Sequence, residues 1–540
     1  MSKIVSIYGS HNAAIAFLLN DGSIKAIEIE RLLSYKNSGL AQYKSIPYPD
    51  EIVQLAIKIA KRNWNIDSNF DVCISTSIDS VHGYPDGTWE KIFYNRTVSA
   101  PDKPFGPTHH KCHANGTFYQ SPFDKAVIIS FDGGGDDGFF NFYVAHSRET
   151  GPEEVFRKTV DLGFAYMVFG EYIKEIKKEP CLSDGNLVYS GKLMGLCGYG
   201  KVRDEWVTPM RKFYMAKPDG LNYKGLLASL WSEMNISVSE RDHSGNGGIN
   251  GQLAYDVAAT SQKVFEDIFF ELTTEEISKY PDYPICVTGG CALNVLLNTK
   301  IKKKFGRKMY VAPNSNDCGI AAGALLERIK PKRQVNLMYS GPNLFDYESI
   351  GQYFYADSYR LEIRKMVELP KLLADGKIIG VARGGSEHGP RALGNRSILC
   401  NPTFPQMKDV LNAKVKHREW YRPFAPVVRI EDASKYFAVI EESPYMSFAF
   451  DVKDEWKQKL SSITHIDGTA RVQTLRKEHN EWLYNLLGEF EKITGHGVLL
   501  NTSFNVNGRP ILSTAAEAFK VLLDTQMDGI VIEDTLFIKK

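Results

Sequence analysis

The stretch AVIISFDGGGDDGFFNFYVA, residues 126–145, reads as two strands joined by a glycine-rich turn. Ala126 to Phe131 and Phe139 to Ala145 are almost wholly apolar and rich in β-branched and aromatic side chains, the composition of buried strands. Between them, Asp132-Gly133-Gly134-Gly135-Asp136-Asp137-Gly138 combines the backbone freedom of a turn with carboxylates. The same pattern stands at the start of the chain. Ile4 to Tyr8, Ala13 to Leu19, an Asn20-Asp21-Gly22-Ser23 turn and Ile24 to Glu28 form a β-meander, and Asp-Gly supplies the positive φ of a tight hairpin. Pro49-Asp50-Glu51 then opens an amphipathic helix with Ile52, Val53, Leu55, Ala56, Ile59 and Ala60 apolar, and Val72 to Ser75 is a short buried strand.

Beyond the second hairpin the spacing is helical from Leu253 to about Lys279. Ile285 to Thr288 is a strand, Gly289-Gly290 a tight turn and Ala292 to Lys303 a helix. Met309 to Ala312 is another strand, and Asp317 heads the small-residue helix Cys318 to Ala324. Two β-meander halves, each followed by helices, are how actin-like ATPase (ASKHA) folds are built, with a nucleotide between the halves and glycine turns facing its phosphates. The expected fold class is therefore α/β, with an actin-like domain over residues 1–340. Pro331, Gly341 and Pro342 interrupt the helical pattern between Lys330 and Tyr355, which reads as a linker. A second, mixed α/β domain is expected over 355–540.

The bulk numbers agree with two large domains: 540 residues exceed what one hydrophobic core serves. Sixty-five basic and 64 acidic side chains give a net charge of +1, so nothing global draws the chain to nucleic acid or an anionic membrane. The basic run Lys300, Lys302, Lys303, Lys304, Arg307, Lys308 sits at a helix end, where cations favour the dipole and face solvent. The 8 cysteines are scattered without a Cys-x-x-Cys, which is cytosolic usage. The start has no signal-peptide pattern and no apolar stretch approaches the ~20 residues that span a bilayer, so a soluble, cytoplasmic protein without membrane partners is expected.

Three constellations carry chemistry. His109 and His113, four apart, share one face of a helix and can bind one metal, with a carboxylate from a neighbouring turn such as Asp132; His110 and Cys112 point elsewhere. Imidazole with carboxylate suits iron(II), manganese or zinc. Thr288-Gly289-Gly290-Cys291-Ala292-Leu293-Asn294 places glycines between a strand and a helix, where backbone N–H groups can approach phosphate. Met194-Gly195-Leu196-Cys197-Gly198-Tyr199-Gly200 is a similar loop. The densest block is Arg383-Gly384-Gly385-Ser386-Glu387-His388-Gly389-Pro390-Arg391-Ala392-Leu393-Gly394-Asn395-Arg396-Ser397. It stands with Lys414, Lys416, His417, Arg418, Arg422, the segment His465 to Gln473 that contains Arg471, and Asn501-Thr502-Ser503-Phe504-Asn505. Arginine, lysine, serine and asparagine beside glycine turns describe a pocket for a polyanion carrying planar polar groups, such as a nucleotide phosphate with a carbamoyl unit.

At this point the residues resemble the O-carbamoyltransferases that decorate antibiotics and nodulation factors. Ser10 to Ala14, His109 to Ala114, Gly191 to Leu196, Gly289 to Asn294, Glu387 to Ser397, Arg422-Pro423-Phe424-Ala425-Pro426, His465 to Gln473 and Asn501 to Asn505 look like that family's signatures, in order. The resemblance covers essentially the whole chain, and the Gly-Pro-Arg-Ala-Leu-Gly and Asn-Thr-Ser-Phe-Asn blocks are its most specific parts. It implies an N-terminal domain similar to the actin-like tRNA threonylcarbamoyladenosine enzymes and a C-terminal domain similar to their YrdC-like, carbamoyl-adenylate-forming partner. Carbamoyl phosphate and ATP, the latter with Mg2+, would be co-substrates. His109, His113, Asp132 and Asp317 would hold a divalent metal, Fe2+ first and Mn2+ or Zn2+ next. Arg391, Lys416, Arg422, Arg471, Asn501 and Ser503 would bind carbamoyl phosphate and the adenylate, with Gly289 and Gly290 at the phosphates; Arg471 and Lys416 would act in activation and His11 as general base.

The chain departs from that pattern at Asn115-Gly116, where small alanine-like residues are expected, and at Asp136-Asp137, where Gly-Glu is usual. The implied acceptor is a hydroxyl on a small molecule such as a sugar or antibiotic precursor, and the oligomeric state stays open. A hydroxymethylated nucleobase such as 5-hydroxymethylcytosine, free or in DNA, presents the same nucleophile. Threonylcarbamoyl transfer to tRNA is disfavoured by the near-neutral charge. A non-catalytic actin-like nucleotide sensor would leave the Arg-rich second half unexplained.

Overall fold

Two sheets are built on one plan. Strands β1 (Ile4–Tyr8), β2 (Ala14–Leu18) and β3 (Ile24–Glu28) form an antiparallel meander, and β4 (Val72–Thr76) joins β1 in parallel, giving the order β3-β2-β1-β4. Strands β5 (Ala126–Phe131), β6 (Phe140–Ala145) and β7 (Pro152–Lys158) repeat the meander. Strands β8 (Ile285–Thr288) and β9 (Met309–Val311) continue it in parallel beside β5, in the order β7-β6-β5-β8-β9. This doubled plan is the one expected of an actin-like fold. The computed structural model describes residues 3–40, 49–66, 70–76, 107–177, 185–218, 221–239 and 247–540.

The runs are apolar on both sides because both faces of the sheet are covered. Along β5, Val127, Ile129 and Phe131 pack into one core while Ala126 and Ile128 face another. Helix α1 (Pro49–Trp64) closes the far face of the first sheet, with Val53, Ala56 and Ala60 on Val5, Ile7 and Phe17. Helix α3 (Gly251–Ser278) lies against the second sheet, with Phe265 and Phe269 on Phe131.

Helices α2 (His109–Gln120) and α4 (Ile320–Ile329) fill the space between the sheets, with Phe118, Ala321 and Leu325 sharing one core with Tyr8, Ala16, Ile128 and Tyr143. They cross so closely that a Cβ on Gly323 would stand 2.1 Å from the carbonyl oxygen of Cys112. Gly116, one of the two departures near the site, lies on that crossing, its Cβ position 3.6 Å from the Cα of Gly323. The packing brings the N-terminus of α2, the turn before α4 and the C-terminal end of β5 together.

The rest of the chain forms a larger sheet. Strands β10 (Leu361–Arg364), β11 (Ile379–Ala382), β12 (Arg396–Cys400), β13 (Ala425–Arg429), β16 (Gln473–Leu475), β17 (Val498–Ser503), β18 (Gly529–Ile532) and β19 (Thr535–Lys539) run in the order β10-β19-β18-β11-β12-β17-β13-β16. A small ribbon of β14 (Ala449–Asp451) and β15 (Thr469–Arg471) stands beside it. Helix α5 (Glu481–Thr494) covers one face through Leu483, Leu487 and Phe490, and Phe519 and Phe537 pack on the other.

The segment expected to be an open linker is instead a packed strap. Leu337, Met338 and Leu344 are buried, Ala26 donates to the carbonyl of Ser340, and Gly341 donates to that of Ser386. Its apolar residues outweigh the Pro and Gly signal, which marked irregular backbone rather than solvent exposure. The basic run is largely exposed but paired: Lys302 bonds Glu441 at 2.9 Å, Lys303 bonds Asp451 at 3.3 Å and Lys300 pairs with Glu266, so it bridges α3 and the segment that leads into and through β14. Cys112, Cys197, Cys286, Cys291, Cys318 and Cys400 are free thiols, and Cys181 lies outside the described residues. Among the described residues no helix is long and apolar enough to cross a membrane.

Candidate functional site

His109 and His113 point their Nε2 atoms to one place, 3.1 Å apart, from the first turns of α2. The Oδ2 of Asp132, at the end of β5, lies 3.2 Å from His113 and 3.9 Å from His109. The Oδ1 of Asp317, in the turn leading into α4, lies 3.4 Å and 3.6 Å from the same two nitrogens. Metal–ligand bonds of about 2.0–2.2 Å put neighbouring donors roughly 3–3.5 Å apart, so these four residues fit one divalent cation with little adjustment. Burial pulls the His113 imidazole down, but the hydrogen bonds it donates to Asp132 and Asp317 outweigh that and push the ring up to about 9. Burial likewise raises Asp132, and the two histidines hold it well below the usual carboxylate range.

The surrounding groups orient these side chains. Tyr8 donates its hydroxyl to Oδ2 of Asp317 at 2.7 Å. Gly133 and Gly290 donate their amides to the two oxygens of Asp132, at 2.7 and 2.6 Å. This corrects the reading of Gly289 and Gly290 as a phosphate cradle. The amide of Gly289 bonds the carbonyl of Ser315, that of Gly290 is taken by Asp132, and a Cβ at Gly289 would lie 2.1 Å from the Phe131 oxygen. The pair turns the chain tightly at β5 and orients a carboxylate. The departure Asp136-Asp137 also has a structural role: its carboxylates accept the amides of His109 at 2.7 Å and His110 at 2.9 Å, capping α2 from the hairpin. His110 turns away to Ser130 and the carbonyl of Gly138, and burial pulls its ring down to about 4.

His11 stands at the mouth of this tetrad, its Nδ1 3.3 Å from Oδ2 of Asp317 and its side chain 30% exposed. With Nδ1–H toward that carboxylate, Nε2 carries the free lone pair of the neutral ring.

The second cluster is of opposite character. Arg391 from the loop before β12, Lys416, Arg418 and Arg422 from the loop before β13 and Arg471 from the end of β15 converge, and Lys36 reaches them from the turn after the short helix Ile29–Leu33. Burial lowers Arg471 well below the usual guanidinium range, and Arg391 and Arg422 add to it. Burial and Arg422 bring Arg391 down to about 10. Burial holds Lys36 down to about 8 against the pull of Glu30, with Arg422, Lys192 and Arg391 also repelling it. Glu419 is the main counter-ion; burial raises it, but Lys192 at 2.8 Å and Arg422 keep it ionised. Such a surplus of desolvated cations is costly unless an anion arrives.

Local backbone places the cluster. The turn Leu411–Val415 is a π-helix, a feature that recurs at functional sites, and it closes with Lys416 donating to the carbonyl of Leu411 at 2.7 Å. Lys416 then extends into a cage made by the carbonyls of Ser503 (2.6 Å) and Asn505 (2.7 Å) and the side chains of both. Asn501 donates to Gln473 at 2.7 Å and leaves its buried Oδ1 without a protein partner, as is the Nε of Arg471. An orphaned acceptor and an orphaned cationic donor on residues lining one cavity fit a ligand carrying an amide and an anion.

One cavity of about 1380 Å³ joins the two clusters. His11, His109, Asp132 and Asp317 line one part and Arg391, Lys416, Arg422, Arg471, Asn501 and Ser503 another, with Phe164, Met167 and Phe265 contributing apolar wall. His113 sits just behind His109, buried. Sequence reasoning missed Lys36, Lys192 and Tyr8. Lone residues in unremarkable surroundings, they gave no signal beyond Lys192 standing inside the Gly191 to Leu196 block.

Two family models match in order: carbamoyltransferase N-terminus over residues 82–326 and carbamoyltransferase C-terminus over residues 370–539. The chain is 32% identical over 451 residues to nodulation protein NolNO of Sinorhizobium fredii, covering 80% of this chain and 64% of that protein. It is 32% identical over 448 residues to nodulation protein NolO of Bradyrhizobium diazoefficiens, covering 80% and 79%. Among solved structures, full-length HypF in the phosphate- and nucleotide-bound form aligns with a TM-score of 0.34 and 14% identity, over 62% of this chain and 47% of that one.

Proposed function

Because the chain belongs to the carbamoyltransferase family, we propose that it is an O-carbamoyltransferase that uses carbamoyl phosphate and ATP to form a carbamoyl-adenylate and passes the carbamoyl group to a hydroxyl of a small-molecule acceptor. The observation that carries this reading is the single cavity with an uncompensated cation cluster at one end and a two-histidine, two-aspartate tetrad at the other.

In activation, a water molecule hydrolyses carbamoyl phosphate to carbamate and inorganic phosphate, and an oxygen of the carbamate attacks the α-phosphorus of ATP with loss of pyrophosphate. Arg391, Lys416, Arg418, Arg422 and Arg471, with Lys36, neutralise these phosphates and the charge that develops as they separate. The orphaned Oδ1 of Asn501 accepts a hydrogen bond from the carbamoyl NH2, and the nearby Ser503 hydroxyl is a further polar contact. In transfer, the acceptor oxygen attacks the carbamoyl carbon and AMP leaves. His11, its Nδ1 steered by Asp317, takes the acceptor proton on Nε2. A divalent cation held by His109, His113, Asp132 and Asp317, iron(II) first on its donor chemistry and manganese or zinc next, would supply Lewis-acid polarisation of the carbamoyl carbonyl. The walls between the two ends shield a labile adenylate from water.

The test is an incubation with carbamoyl phosphate, ATP·Mg2+ and a panel of hydroxylated acceptors, read by mass spectrometry. The expected result is a carbamate ester formed with equal amounts of AMP and pyrophosphate. Transfer that needs no ATP, or that yields ADP in place of AMP, contradicts the proposal.

A further inference from the structure

The tripeptide Glu387-His388-Gly389 opens the most distinctive sequence block, yet none of the three takes part in the chemistry proposed above. Each is gripped by the N-terminal half. Arg31, on the short helix Ile29–Leu33, is buried and donates to the carbonyl of Glu387 through one terminal nitrogen and to that of Gly389 through the other, both at 2.6 Å. Glu28 lies 2.9 Å from the second of these nitrogens and accepts the amide of Gly389 at 3.0 Å. His388 is buried between the halves. Its Nε2–H donates to the carbonyl of Cys318 at 2.9 Å, while Nδ1 accepts from Asn314 at 3.2 Å and Ser340 at 3.1 Å. Burial pulls this ring down to about 4, so it is neutral and its tautomer is set by these partners.

The neighbours of this junction give it meaning. Cys318 follows Asp317 of the tetrad, and Gly389 precedes Pro390-Arg391 of the cation cluster. The Glu387 carboxylate accepts three amides, those of Leu393 (2.7 Å), Asn395 (2.8 Å) and Arg396 (3.0 Å), which shapes the loop that carries Arg391. Gly389 has φ +129°, and a Cβ there would lie 2.2 Å from the carbonyl oxygen of Pro313, so the two segments pass in direct contact. A path of one hydrogen bond and a few covalent links therefore runs from the metal-type tetrad to the first arginine of the anion site.

We propose that Arg31, seated on Glu28 and acting with His388, is a positioning residue that couples the two ends of the cavity, so that occupancy of the tetrad and binding at the arginines depend on each other. The proposal rests on the carbamoyl phosphate reading. A planar guanidinium that bonds two carbonyls and a carboxylate at once holds the Arg391 loop in one register against the Asp317 turn. Binding at either end then favours the same register, and linkage makes the effect reciprocal.

The experiment is calorimetric titration of full-length protein with carbamoyl phosphate, with and without saturating Mn2+, for wild type, Arg31→Lys and Ser340→Ala. In wild type the two affinities should differ by about fivefold or more. Lysine keeps the charge, so through-space attraction is retained, but it cannot reproduce the planar fork. The affinity ratio should fall close to one in Arg31→Lys and to an intermediate value in Ser340→Ala, with native circular dichroism in each. A ratio near one in the wild type overturns the proposal, as does an unchanged ratio in Arg31→Lys. Should that variant fail to fold, an unchanged ratio in Ser340→Ala is the overturning result. No binding of carbamoyl phosphate to the wild type contradicts the functional reading instead, and inorganic pyrophosphate then probes the same arginines for the coupling.

Discussion

The two ends of the cavity solve the problem of buried charge in opposite ways. The tetrad is balanced: two imidazoles face two carboxylates, Tyr8, Gly133 and Gly290 satisfy the remaining oxygens, and a proton can stand in for a cation. The cation cluster is not balanced. Arg391, Lys416, Arg418, Arg422, Arg471 and Lys36 share few counter-ions, and burial depresses the pKa values of Arg391, Lys416, Arg418, Arg471 and Lys36. The first end is stable as it stands and, under the proposed function, would gain its chemistry from a divalent metal. The second is held by the surrounding fold at a cost that only an anionic ligand relieves.

Substitutions at Arg471 should break this contrast most strongly. Arg471→Met is expected to reduce activation by about 1000-fold, the scale of removing an aimed donor. It should also stabilise the unliganded protein, by roughly 1 kcal/mol or more, because a buried charge without a partner is replaced by apolar volume. Activity assays and thermal melts on the same preparation check both. A melt that falls instead shows that the cluster is internally compensated. His113→Ala should behave in the opposite sense: activation is retained, carbamoyl transfer falls by more than about 100-fold, and stability drops as Asp132 and Asp317 lose their partner. Equal loss of both half-reactions in both variants removes the division of labour between the ends.

A smaller effect is expected from pH. Lys36 is held near 8 by burial, so it is charged below that value and progressively neutral above it. Pyrophosphate affinity should be full at pH 7 and decline by about fivefold as pH rises through 8 toward 10, one charge being worth a part of the cluster's attraction. Lys36→Met should show the weaker affinity at all pH values and lose that step. The smallest effect belongs to the tetrad's support: Asp136→Ala removes one capping contact to His109 and should cost about 1 kcal/mol in chemical denaturation.

Much of this contrast could be read from sequence, for physical reasons that differ by region. Strands buried on both faces and closed by Asp-Gly turns announce themselves, which is why both meanders stand where residues 4–28 and 126–145 placed them. The helical spacing of His109 and His113 dictates convergence, and the structure brings Asp132 and Asp317 to them because strand ends and helix starts meet at one edge. What escaped was set by packing between distant segments. Lys36 is an isolated lysine until its loop folds back against the arginines, and the structural part played by Glu387 to Gly389 gave no signal because their partners, Glu28 and Arg31, lie more than 350 residues earlier in the chain. Gly289-Gly290 carried a phosphate-loop pattern, but their amides are spent on Ser315 and Asp132.

The most direct test of an activating cation cluster is isotope exchange between labelled pyrophosphate and ATP, run on the purified protein with Mg2+ and no acceptor. Exchange that requires carbamoyl phosphate and disappears in Arg471→Met is the expected result. Exchange that is indifferent to carbamoyl phosphate, or none in the presence of every co-substrate and acceptor, would contradict adenylation at this end of the cavity.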